Sequence, residues 1–251
     1  MAAQGQAIDA LSQFALTPAL GVVGSSVNFT QANLFMVIGG ALTIAMLVLG
    51  AKPRAIVPGR LQALAELSYE SILKMCTDQI GHEGRSYFPF VFTLFFFVLM
   101  GNLLGMLPWA FTYTSHIAVT FALAALVIVT VTVVALRIHG LHFFTYFFPA
   151  GAPKALAPLI IPVEIISYLS RPLSLAVRLF ANMVAGHVML KVFATFVVML
   201  GGAGAIGVIG AAGPLALNVI LIGFEFLVAF LQAYVFAILT CIYLHDAVHL
   251  H

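Results

Sequence analysis

The sequence predicts an all-α integral membrane protein: a polytopic helical bundle with one amphipathic surface helix and a long, strongly tilted C-terminal helical hairpin. Three observations carry that prediction. Hydrophobic residues make up 63% of the chain and charged residues only 7%, with a mean hydropathy of +1.15, whereas about a quarter of an ordinary soluble domain is charged. The apolar runs are too long and too unbroken for the weak alternation of an outer-membrane barrel, so the spans are expected as helices. The last two apolar stretches are each longer than an upright crossing requires.

The elements follow in order. Residues 1–30 lack a basic leader and place Asp9 before any apolar core, so a cleavable signal peptide is not expected; Ile8, Leu11, Phe14 and Ala15 predict a short interfacial helix. A first span over 33–50 exits into Lys52, Pro53, Arg54, Pro58 and Arg60, and basic residues in a short loop mark the cytoplasmic or matrix side. The N-terminus is then expected on the opposite, positive side. Residues 61–80 mix Glu66, Glu70, Lys74 and Asp78 with Leu61, Leu64, Leu67, Ile72 and Met75, too polar to span and expected as an amphipathic helix along the membrane or against a partner.

A phenylalanine-rich second span over 87–109 begins after Arg85 and ends at Pro108 and Trp109, with Tyr113 and His116 beyond it as interfacial residues. Asn102 within it is expected to bond another helix. A third span, 117–136, returns to Arg137 and His139 on the basic side. Residues 140–154 read as a turn-rich aromatic loop or short helix. From 156 to 199 the sequence stays helical in character, interrupted only by Pro158, Pro162 and Pro172. Starting even at Pro162, its rise of about 55 Å exceeds a hydrocarbon core of about 30 Å. This helix must tilt, bend, or both, with Pro172 the expected bend. The Gly/Ala-rich stretch 201–214 reads as the return, and 215–245 as the last long tilted helix, ending on the basic side. The whole chain, 1–251, reads as one membrane domain, and no inverted repeat relates its halves.

Other classes are excluded by composition. A net charge of +2 with no long basic run gives no nucleic-acid partner. Cys76 and Cys241 lie far apart and belong to no ligand-spacing motif, so they read as packing residues, and no metal site or cofactor is expected. The chain carries no Walker-type phosphate loop, hence no nucleotide site of its own.

The polar residues of the last two helices are the functional candidates. Glu164, Arg171 and Arg178 recur every seventh residue, with Ser167, Ser174 and Asn182 close to the same line, so they form a polar stripe. Arg178 is the most costly member, because guanidinium stays charged and a mid-membrane charge costs from about 3 to more than 10 kcal/mol. On the last helix Asn218, Glu225 and Gln232 repeat the seven-residue period, with Tyr243 close to their line. For antiparallel helices joined near residue 207, Arg178 falls level with Gln232, His187 with Glu225, and Glu164 with Asp246.

Levels are not contacts. Arg178 and His187 are nine residues apart and point to opposite faces of a straight helix, whereas Glu225 and Gln232 share one face. Both pairings are direct only if the hairpin twists or bends. Plainer roles compete throughout: Arg178 as a structural charge paired with Glu225 or Glu164, His187 as a packing histidine, Glu164 and Arg171 as interfacial residues, Asn182 and Gln232 as inter-helix hydrogen bonders. Lys191, one turn beyond His187, does not ligate metal and weakens a zinc reading.

At these residues the chain resembles a known family. The segments RPLSLAVRLFANMVAGH and FLVAFLQAYVFAILTCIYL resemble the signature of subunit a of rotary F-type ATP synthases. VNFTQANLFMVI, GNLLGMLPW with TSH following, GLHFFTYFFPAGAP and the terminal IYLHDAVHLH are similar to the same family, so nearly the whole chain is covered. The Arg178 to Met183 block is the most specific, and the arrangement resembles the mitochondrial and alphaproteobacterial branch.

The resemblance implies a stator subunit that faces a ring of c subunits and joins peripheral-stalk b-type subunits in an energy-coupling membrane, either mitochondrial or bacterial inner. It implies two offset proton half-channels and no catalysis by this chain. By position, Arg178 matches the family's essential arginine and Asn182 and Gln232 its polar neighbours. His187, Glu225 and Asn218 match the entry half-channel; Glu164, with Arg171 and Ser174, matches the exit. A self-contained proton-coupled transporter is the alternative, and would usually show internal repeats. A haem or quinone subunit would need paired intramembrane histidines, and His187 has no evident partner of that kind.

Overall fold

The computed structural model of the chain describes residues 30–51, 58–107, 110–140, 142–143 and 156–249. The expected interfacial helix within 1–30, the basic loop residues Lys52 and Arg54, Trp109, and nearly all of the loop expected over 140–154 lie outside the described residues. Among the described residues there are six α-helices and one short 3₁₀ turn. They are α1 (Gln31–Ala51), α2 (Arg60–Ile80), α3 (Gly84–Gly105), the turn Tyr113–Ser115, α4 (Ile117–His139), α5 (Ala157–Gly201) and α6 (Ala205–Val248).

Five of these helices, all but α2, are long and apolar enough to cross a membrane. The protein is a polytopic, all-α membrane protein. In hydrocarbon each backbone N–H and C=O must find its partner within the chain, so long uninterrupted helices are the favoured solution for sequences of this kind. α5 and α6 run to 45 and 44 residues, close to twice an upright span. The other crossings have 21, 22 and 23 residues.

α3 lies at the centre of the bundle. Phe88, Val91, Phe92, Leu94, Phe95, Phe96, Val98 and Leu99 are all buried on it, and they pack with Ala124, Val127 and Val131 of α4 and Ala233, Phe236 and Ala237 of α6 in one cluster. The small residues of α6 let α3 approach closely, the usual device where lipid supplies little drive for helix association. α2 buries Ile72, Met75, Cys76 and Ile80 against this core and exposes Glu66, Glu70, Lys74 and Asp78. It is therefore amphipathic. Cys76 and Cys241, distant in sequence, meet in the core with their sulfurs 3.7 Å apart, both as free thiols.

The bounds of α3 and the start of α6 depart from expectation. α6 begins at Ala205, so most of the Gly/Ala-rich stretch expected to form a return is helix, and the reversal occupies only Gly202 to Gly204. Glycine weakens helices in water, but in a bilayer the backbone has no competing solvent partner and the penalty is overridden. Gly204, at φ +90°, makes the turn. α3 begins at Gly84 and ends at Gly105, earlier at both ends than the expected 87–109. α5 is continuous through both Pro162 and Pro172, so Pro172 does not divide it.

Glycines of α3 position the turn that follows it. A Cβ at Gly101 would meet ring atoms of Tyr113 at 2.5 Å, and one at Gly105 would overlap the Thr112 hydroxyl. Tyr113 is fully buried there, and its hydroxyl donates to the Phe97 carbonyl at 2.6 Å. Gly101→Ala is expected to displace this rigid ring and to cost about 1–3 kcal/mol, read as a lowered midpoint in thermal unfolding of the detergent-purified protein. An unchanged midpoint would mean that the turn does not depend on the Gly101 face.

Candidate functional site

The polar residues converge where the end of α3, the Thr112–Ser115 segment, α5 and α6 meet. His187 of α5 is the hub. Its Nδ1 lies 2.8 Å from Glu225 Oε1 and 3.0 Å from the Met183 carbonyl, and its Nε2 lies 3.0 Å from the Gly105 carbonyl and 3.1 Å from Thr112 Oγ1. The Nδ1–H axis points to the Met183 carbonyl, so Glu225 Oε1 sits beside that axis in close electrostatic contact without a formed hydrogen bond. Glu225 is 4% exposed, and its Oε2 has no hydrogen-bond partner among the described residues. A buried carboxylate keeps its charge only beside a cation, donors or water. His187 and Glu225 are thus suited to hold and exchange a proton.

The backbone makes room for this pair. A Cβ at position 186 would come within 2.6 Å of Glu225 Oε1, so only glycine leaves the carboxyl group its place between α5 and α6. Beside it a groove of about 330 Å³ runs between the two helices, with Asn182, Gly186, Glu225 and Gln232 among its lining residues. The level-matched expectation for His187 and Glu225 is a direct contact in the structure. Asn182 and Gln232 share a groove with Glu225, and neither forms a hydrogen bond with Arg178 among the described residues. This resolves the facing conflict: His187 meets Glu225 next to the end of α3 and Thr112, while Gln232 lines a groove formed by α5 and α6 alone.

Arg178 stands near the middle of α5. It is exposed and has no hydrogen bond or ion pair among the described residues. Ser174 and Ala181, one turn to either side, are exposed as well, and Asn182 is half-buried. The competing expectation of a structural charge paired with Glu225 or Glu164 is not met. Glu164 is half-buried; it shares a level with Asp246, but two like-charged carboxylates have no reason to pair. Asp246 Oδ2 instead accepts from Arg171 Nη1 at 3.1 Å, and the Arg171 guanidinium lies against the rings of Tyr168 and Tyr243. Arg171, two turns along α5 from Glu164, supplies the opposite charge that Asp246 needs. Asn218 is half-buried two turns from Glu225 on α6, with its Oδ1 enclosed and without a hydrogen-bond partner among the described residues.

Sequence reasoning missed the polar segment opposite His187. Thr112, Thr114 and Ser115 are all buried. Thr114 donates to Asn102 Oδ1 at 2.8 Å, and Asn102 Nδ2 donates to the Ala229 carbonyl of α6 at 3.2 Å; Ser115 donates to the Thr112 carbonyl at 2.6 Å. Asn102 therefore ties α3 both to the turn and to α6, the inter-helix role expected of it. The available signal was the Gly101 and Gly105 pair, one helical turn apart, just before a run of hydroxyl residues.

Gly186→Ala should push the Glu225 carboxyl group away from His187 while leaving helix content unchanged. The expected readout is a shift of the Glu225 carboxyl infrared band, assigned by difference against Glu225→Gln. A band unmoved by the added methyl would show that the carboxyl does not occupy the space beside Gly186.

The family model described as ATP synthase A chain matches residues 33–245. Among similar curated proteins, ATP synthase subunit a of Granulibacter bethesdensis is 69% identical over 245 residues, covering 97% of this chain and 98% of that protein. Those of Gluconacetobacter diazotrophicus and Acidiphilium cryptum are 58% and 54% identical. The alignments cover 98% and 99% of this chain, and 99% and 100% of those proteins.

Proposed function

The chain belongs to the ATP synthase A chain family, and from that premise we propose that it is the proton-conducting stator subunit a of a rotary F-type ATP synthase. The observation that carries the proposal is Arg178: a permanent charge exposed on the outer surface of a membrane bundle, in mid-helix, with no hydrogen bond or ion pair among the described residues. Lipid cannot accommodate that charge, so the face that bears it must meet water or an acidic group on another polypeptide. A ring of c subunits carrying membrane carboxylates supplies such groups, and the small residues Ala181 and Ala185 beside Arg178 permit close approach.

The mechanism follows from electrostatics. Protons enter from the positive side past Asn218 to His187 and Glu225, and reach the ring through the groove lined by Asn182, Glu225 and Gln232. A protonated ring carboxylate is neutral and crosses lipid, whereas an ionised one would be far more costly there. On return it meets Arg178, whose fixed charge favours the carboxylate and releases the proton toward Glu164, with Arg171 and Ser174 along that exit. The same charge repels a proton moving directly from entry to exit, so flow is obliged to pass through the ring. Lysine would serve poorly, because its amine can deprotonate when desolvated.

The proposal places the chain in an energy-coupling membrane, with its N-terminus on the positive side and its C-terminus on the cytoplasmic or matrix side. Its partners are the c-ring, b-type stalk subunits and the other subunits of the complex. Nucleotide chemistry belongs to those other subunits.

Arg178→Ala is expected to reduce proton-driven ATP synthesis to background in membrane vesicles while the subunit still assembles; coupled synthesis at the unaltered rate would refute the assignment. Glu225→Gln should slow passive proton flux through the membrane sector by about tenfold or more, with normal amounts of complex. Undiminished flux in well-assembled complexes would remove Glu225 from the entry path.

A further inference from the structure

Buried imidazole in a proton path must be satisfied both with and without a proton on each nitrogen, or one of its forms is shut out. Around Nε2 of His187 stand two oxygens of unlike chemistry, the Gly105 carbonyl at 3.0 Å and the Thr112 hydroxyl at 3.1 Å. The carbonyl only accepts. Of these two neighbours only the hydroxyl can also donate, so it alone suits Nε2 when that nitrogen carries a lone pair. We propose that Thr112 is a positioning residue for His187: its hydroxyl admits the neutral ring form protonated on Nδ1, the nitrogen that lies beside Glu225.

The chemistry at Nδ1 shows why that form matters. There the ring meets the Met183 carbonyl and Glu225 Oε1. With the proton on Nε2 alone, the bare Nδ1 would face a carbonyl lone pair and an ionised carboxylate, an arrangement favoured only once Glu225 is protonated. With the proton on Nδ1, the Met183 carbonyl accepts it, the N–H lies beside the Glu225 carboxylate, and the Thr112 hydroxyl donates to Nε2, offsetting the Gly105 carbonyl that then faces a bare nitrogen. The hydroxyl and the Gly105 carbonyl therefore form a two-state cradle in which the ring changes its proton inventory without moving.

The fold holds Thr112 for this purpose. The residue is 4% exposed, its carbonyl accepts from Ser115 Oγ at 2.6 Å and from the Ser115 N–H at 3.1 Å, and the missing side chain of Gly105 leaves the space that its hydroxyl fills. One α3 glycine thus contributes twice, with its carbonyl as one wall of the cradle and its lack of Cβ as room for the other.

This inference rests on the entry-path reading of His187 and Glu225, and the test separates the two. Thr112→Val keeps the shape and removes the hydroxyl; Thr112→Ala removes it with less strain, and Thr112→Ser restores it. In the intact membrane sector, passive proton flux is expected to fall roughly tenfold in the valine and alanine variants, the scale of one lost buried hydrogen bond, and to recover in the serine variant. Nitrogen-15 NMR of histidine-labelled complex, with the His187 signal assigned by difference against His187→Gln, should show the form protonated on Nδ1 in the unaltered protein and its loss in Thr112→Ala. Flux and ring form both unchanged in the hydroxyl-free variants, while His187→Gln and Glu225→Gln remain slow, would overturn the role of Thr112 and leave the entry path standing. Full flux in His187→Gln and Glu225→Gln would overturn the path itself, and this inference with it.

Discussion

The structure is governed by what hydrocarbon does to charge. A charged side chain within a bilayer must meet an opposite charge, reach water, or lose its charge with its proton. Arg171 takes the first course with Asp246 near the end of α6. Glu225 takes a combination, because His187 stands 2.8 Å away and its second oxygen faces no protein donor among the described residues. Arg178 forms no ion pair among the described residues, and neutralisation is closed to guanidinium.

These different solutions require helices of unusual length and closeness. α5 and α6 each carry ionisable or amide groups at several levels, and only long antiparallel helices set those levels opposite one another. Close approach then depends on atoms that are missing. Gly186 leaves the place of the Glu225 carboxyl group, Gly105 that of the Thr112 hydroxyl, and Gly101 that of the Tyr113 ring. The buried polar cluster is cut into the bundle by glycines rather than added to it by larger polar residues. Its hydrogen bonds also tie α3 to α6 through Asn102, so the core and the site share a wall.

Much of this was legible in the sequence, for identifiable reasons. The spans were readable because apolar length maps directly to membrane thickness, and the polar stripes because seven residues nearly close two helical turns. The level of His187 against Glu225 was readable from counting along a hairpin, an argument that tolerates a few residues of error; the turn lies nearer Gly202 than residue 207, and the pair still meets. Direction around the helix was not readable. Whether Gln232 faces Arg178 or the groove beside Glu225 depends on how two long helices roll against each other, which no count along one helix fixes. Thr112 was hidden for a different reason. It lies in a short irregular segment with no periodicity of its own, and its meaning comes from the α3 surface on which it rests. Level alone did not name the partner of Asp246 either: Glu164 shares its level but also its charge, and Arg171, two turns along α5, supplies the opposite one.

The exposed guanidinium of Arg178 bears on how such a protein is made as well as on how it works. A subunit newly inserted and alone in the bilayer presents one surface that lipid cannot satisfy, at the middle of its longest helix. Its solitary state is therefore strained, since none of the described acids forms an ion pair with that charge. Such a charge leaves the unaccompanied chain incomplete, and gives docking to an acidic partner a driving force that apolar packing between membrane helices does not supply.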